Sequence, residues 1–153
     1  MLTATFVRHR GARDHVYVTR ADGTEVSWQF PTYGDGLPHD LVHLVVESGL
    51  AMADGFWGLV DRGADVALVN NEATIVRDGR PLVDDTSIDW DGLRAAEAAV
   101  AGIGRPGDGV QRGYVIPASY APPELVAIRM RLSELQRDWA ALPDRGSITL
   151  SFG

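Results

Sequence analysis

Two periodicities organise the chain. Polar and apolar residues alternate from Thr3 to Val7, and the alternation resumes in His15-Val16-Tyr17-Val18-Thr19 after a polar turn over Arg8 to Asp14. A period of two sends successive side chains to opposite faces of a strand. Ala21-Asp22-Gly23-Thr24 has hairpin-turn chemistry, with Asp-Gly supplying positive φ values, and Glu25 to Phe30 then places Val26, Trp28 and Phe30 on one face. The expectation is a three-stranded antiparallel meander, broken by Pro31 to Gly36.

The period then changes. Between Leu37 and Gly49 the sequence Leu-Pro-His-Asp-Leu-Val-His-Leu-Val-Val-Glu-Ser-Gly reads as a helix, with Pro38 in the first turn and Gly49 ending it through a positive φ. At about 100° per residue, His43 lies about 40° round from His39, Glu47 about 80° and Asp40 about 100°. Leu41, Val42, Leu44, Val45 and Val46 fill the remaining arc, which is wider than the stripe of an ordinary surface helix. The helix is therefore expected to be largely buried, with its polar strip lining a cleft.

Farther on, Phe56 and Trp57 stand between Gly55 and Gly58. They wall a pocket or, the reading preferred, plug the core beneath the cleft. Asp61 to Ala64 continues as a short helix. Val66 to Val69 and Thr74 to Val76 have the character of short strands around Asn70-Asn71. Arg77-Asp78-Gly79-Arg80 is another hairpin-type turn before Pro81 to Val83. Ser87 or Asp89 can cap an alanine-rich helix over Trp90 to Ala101, in which Glu97 is the one interior acid. A glycine-rich loop follows from Gly102 to Gly109, and Gly113 to Ile116 reads as a strand.

The longest helix begins at Pro122-Pro123-Glu124. Its seam of Leu125, Ile128, Leu132, Leu135, Trp139 and Leu142 recurs at three- and four-residue steps. That seam can cover a sheet or, as a homodimer through residues 123–142, pair with a copy of itself. Its length favours packing within the chain. Ser147 to Phe152 closes as a strand able to pair with the meander. The whole, residues 1–153, reads as a single α+β domain: a mainly antiparallel sheet packed against a buried histidine-bearing helix and a long C-terminal helix.

Composition narrows the chemistry. The chain has no cysteine, so disulfides, thiolate nucleophiles and iron–sulfur clusters are excluded, and any metal must use His, Asp or Glu. All 14 basic residues are arginine, which excludes Schiff-base and P-loop lysine chemistry. A net charge of −7 argues against nucleic acid or anionic lipid as a general partner, and no apolar run reaches the length of a membrane span. The start lacks a signal-peptide pattern, so a cytoplasmic location is expected. The turn bearing Arg8, Arg10 and Arg13 could grip a carboxylate or phosphate; a solvated hairpin whose arginines balance nearby acids is the simpler reading.

Candidate chemistry therefore centres on the polar helix. His39-Asp40-Leu41-Val42-His43 resembles the His-Glu-x-x-His helix of zincin metallohydrolases, with Asp40 at the glutamate's position. The resemblance implies a zinc ion held by His39 and His43, with Asp40 polarising the nucleophilic water or supporting a ligand. Glu47 ranks first as third ligand because it is near in sequence, although eight residues of rise separate it from His39 by about 12 Å. His15 ranks next, followed by His9 and Glu97. Asn71-Glu72 is similar to the Asn-Glu element of the gluzincin branch. The wider stretch from Leu37 to Gly63 also resembles a group of bacterial proteins with no assigned function, which implies that the polar helix and the Phe56-Trp57 segment belong together.

The function expected is a zinc-dependent hydrolase acting on an amide or ester bond of a small-molecule or peptide substrate, with Asp40 and Glu47 handling protons. Two alternatives stand beside it. One is a metal-free acid–base enzyme using His43 with Asp40 or Glu47. The other is a non-catalytic binding or assembly domain with a buried histidine and carboxylate network.

Overall fold

Four antiparallel strands form the main sheet of this computed structural model: β1 (Leu2–Val7), β2 (Asp14–Thr19), β3 (Glu25–Phe30) and β7 (Ser147–Phe152), in the order β3-β2-β1-β7. The structure describes residues 1–9, 13–30, 36–69, 72–77, 80–81, 90–103 and 123–153. The remaining elements are helices α1 (His39–Gly49), α2 (Phe56–Asp61), α3 (Trp90–Ile103) and α4 (Pro123–Ala141), and strands β4 (Asp65–Val69), β5 (Glu72–Arg77) and β6 (Arg80–Pro81). This is the α+β architecture expected.

Register carries the alternation across the main sheet. Phe6 pairs with Val16 and Ala4 with Val18, Val16 with Trp28, and Ala4 with Leu150, so one face becomes continuous apolar surface. That face, α1 and the seam of α4 form one core in which Phe6, Leu41, Val46, Trp57, Leu132 and Trp139 are all inaccessible to water. Burial of apolar side chains on this scale is the main favourable contribution to folding, at about 1.5–3 kcal/mol for each large one. The strands expected in the middle of the chain form a second antiparallel sheet, β4-β5-β6, with β4 and β5 lying against β3.

Helix α1 is held by α4, α3 and α2 together. Gly49 has a different use from the one its position suggested. Its φ is not positive, and the left-handed residue comes later, at Ala51 (φ 54°). Gly49 is small because a Cβ there would lie 2.5 Å from the Ile128 side chain, so it sets the close approach of α1 to α4. Phe56 and Trp57 open a short helix in place of a loop, and Trp57 is fully buried in the plugging position.

The arginine turn also differs from expectation. Arg8 is buried, and its Nη1 donates to the carbonyls of Trp139 at 2.7 Å and Ala140 at 3.2 Å. It thus adds a side-chain donor to main-chain acceptors in the last turn of α4, where the Trp139 carbonyl also accepts from the Leu142 N–H. Arg10 lies outside the described residues, as do the Gly104–Gly109 part of the expected loop, the Gly113–Ile116 strand and the Ser87 and Asp89 caps.

Candidate metal centre

Residues 40–47 of α1 are all buried, its polar members included. The polar strip must therefore find partners inside the protein, because an unpaired buried charge is prohibitively costly. Each polar side chain has found them. Asp40 Oδ2 accepts from Trp28 Nε1–H at 2.9 Å. Glu47, with no exposed surface, accepts from the Trp57 backbone N–H at 2.9 Å through Oε1 and meets His43 Nδ1 at 2.8 Å through Oε2. Trp57 Nε1–H in turn donates to the Asp40 carbonyl at 2.9 Å, joining the aromatic plug to the first turn of α1.

The other edge of the His43 ring faces a different group. His43 Nε2 lies 2.9 Å from His39 Nε2 and 3.2 Å from Glu97 Oε1, and Glu97 Oε2 lies 3.6 Å from His39 Nε2. Two imidazole nitrogens that close must share a proton or an ion, since two lone pairs repel. Glu97 comes from α3, and small residues let that helix approach. A Cβ on Gly92 would lie 2.2 Å from the Asp54 carbonyl oxygen, and Ala96 is fully buried.

Electrostatics follow from the geometry. Burial alone would lower the pKa of His43, but hydrogen bonds to Glu47 and Glu97, with the charges of both, outweigh it and raise the ring to about 9. Contact with His39 and His43 holds Glu97 well below the ordinary carboxylate range. Asp40 moves the other way. Burial raises it, and the Trp28 hydrogen bond offsets that only in part. Its carboxyl also feels the charges of His39, His43 and Glu97.

His39, His43 and Glu97 thus offer three ligand atoms within 4.8 Å of one another, a group close enough to hold one metal ion. No protein-family model, curated protein or solved structure matches this chain. The donor set must be read on its own terms. Zinc is held at about 2.0–2.1 Å by imidazole nitrogens and carboxylate oxygens; here the two imidazole nitrogens lie 2.9 Å apart, and Glu97 turns one oxygen to each ring, Oε1 at 3.2 Å from His43 and Oε2 at 3.6 Å from His39. The group fits.

The residues singled out from sequence are distributed around this group. His39 and His43 are brought together on one side. Glu47 meets His43 at Nδ1, the ring nitrogen turned away from His39 and Glu97. Asp40 faces Trp28. His15 stacks on Tyr17 on the outward side of β2, His9 lies at the end of β1 where its N–H donates to Asp14, and Glu72 belongs to β5 in the second sheet. Glu97, ranked low from sequence, is the carboxylate beside both imidazoles. The available signal was an acid set next to an alanine on the buried side of an alanine-rich helix.

Proposed function

We propose that the protein is a metal-dependent hydrolase of amide or ester bonds in which His39, His43 and Glu97 hold a zinc ion. The observation that carries this reading is the convergence of His39, His43 and the Glu97 carboxylate, whose ligand atoms lie within 4.8 Å of one another. Two histidines and a glutamate are a donor set of catalytic zinc sites, which keep a position open for water or substrate. Bound there, zinc would lower the pKa of a water toward about 7 and polarise a carbonyl.

The chain's own residues supply the rest. His39 and Glu97 retain exposed side-chain surface, 30% and 62%, so the group is open on that side to a small-molecule or peptide substrate. Asp40 is the residue assigned to proton transfer. Burial moves its pKa upward from the ordinary carboxylate value, and the Trp28 indole fixes one of its oxygens.

The test is metal analysis of protein purified without a histidine tag, followed by a screen of ester and amide substrates. About one zinc per chain, lost in His43→Ala together with any hydrolysis, is the expected result. A wild-type chain that takes up no zinc refutes the reading. The high pKa of His43 favours a second reading, in which the ring and Asp40 perform acid–base work without metal. Turnover that persists after chelation would select it.

A further inference from the structure

Glu47 is the most deeply buried acid of α1, and its surroundings are built for it. A Cβ on Gly55 would lie within 2.7 Å of the Glu47 carboxyl carbon, so the chain carries glycine where this side chain needs room. Both carboxylate oxygens point at donors: Oε1 at the Trp57 backbone N–H and Oε2 at His43 Nδ1. The first donor cannot change, because a backbone amide always carries its hydrogen. The second depends on tautomer. An acceptor-only carboxylate at 2.8 Å stabilises the ring form with hydrogen on Nδ1, and in that form the Nε2 lone pair is directed to the side shared with His39 and Glu97, where an ion would take the place of the hydrogen for which the Glu97 carboxylate competes.

We propose that Glu47 is the positioning residue of the centre: it fixes the Nδ1–H tautomer and the ring angle of His43, and anchors both to the Trp57 backbone. The inference rests on the metal reading above and adds a residue that touches neither ion nor substrate. Partners of this kind orient a ligating imidazole and typically change metal affinity about 10–100-fold when removed.

Glutamine separates positioning from packing because it has the same size. In Glu47→Gln the amide oxygen stays on the Trp57 N–H, and the NH2 group turns to His43 Nδ1. The ring must then accept at Nδ1 and carry its hydrogen on Nε2, where it blocks ligation. Zinc affinity, measured by chelator competition, is expected to fall about 10–100-fold. Gly55→Ala, which displaces the carboxylate without altering its charge, should lower it in the same direction.

A readout that needs neither a variant nor metal is the nitrogen-15 spectrum of the His43 ring in the zinc-free wild-type protein at pH 10. Hydrogen on Nδ1 is expected there, and hydrogen on Nε2 overturns the inference. Equal zinc affinity in wild type and a folded Glu47→Gln overturns it while leaving the metal reading intact. Failure of the wild type to bind zinc at all overturns the metal reading and this inference with it.

Discussion

Arg8 and Arg20 are buried as deeply as Asp40 and His43, at 5% and 6% exposed against 7% and 3%, yet the two pairs are used in opposite ways. The arginines end mainly on main-chain carbonyls: Arg8 on Trp139 and Ala140, Arg20 on Val60 and Ala64, with the side chains of Thr24 and Asp65 beside them. Their donors are spent on joining the strands to α4 and to the α2–β4 turn. Asp40 and His43 are partnered by side chains that converge from α1, α3 and β3, and one side of that convergence opens to solvent. Depth of burial therefore does not tell a charge tied to the main chain from one set in a side-chain cluster. The pairs differ in that the arginines reach chiefly main-chain acceptors, whereas His43 meets other titratable side chains on both edges of its ring.

Several measurements would break or sharpen that contrast. His43→Ala should abolish stoichiometric zinc uptake, whereas Arg8→Ala should leave it intact in whatever fraction remains folded; metal analysis reads both. Arg8→Ala should cost about 1–3 kcal/mol of stability by removing a charged donor from the Trp139 and Ala140 carbonyls, read as a lowered denaturation midpoint.

The next difference is one of pH. The folded-state pKa of His43, about 9, lies above its ordinary 6.5. The stability it contributes is complete below about pH 6.5 and is lost as pH rises through 9, at most about 3 kcal/mol. Zinc-free protein should show this decline in denaturant titrations, and Arg8→Ala should keep the same slope, because arginine does not titrate in that window. Zinc affinity should run the other way, weakening as pH falls, since the Nε2 proton competes with the ion. Arg94→Ala is the control: it removes an exposed i,i+3 pair with Asp91 and should not measurably change the melting temperature.

Local pattern made much of the architecture readable. The seam from Leu125 to Trp139 repeats at helical steps over a long stretch, and the strands alternate cleanly, so α4, the meander and β7 follow from periodicity alone. Two features of the candidate site did not follow. Glu97 reaches His43 only because Gly92 and Ala96 bring α3 close, a tertiary fact without a sequence period. Glu47 ranked first as a ligand by nearness, but an i,i+4 step from His43 brings its carboxylate to Nδ1, and the helical rise carries it away from His39. Arg8 was obscure for a related reason: its acceptors lie at the end of a helix about 130 residues downstream.

One feature of the sheet bears on how the molecule assembles. β1 is a central strand whose two neighbours arise at very different times. β2 follows it directly, whereas in β7 Thr149 meets Thr5 across a sequence separation of 144 residues. The second ladder of β1 is thus completed only once β7 has been synthesised, and closing so long a loop carries a large entropic cost before any contact repays it. On the ribosome strands β1 to β3 should keep one vacant edge until residues 147–152 emerge, and late closure of that edge should set the folding rate of the sheet.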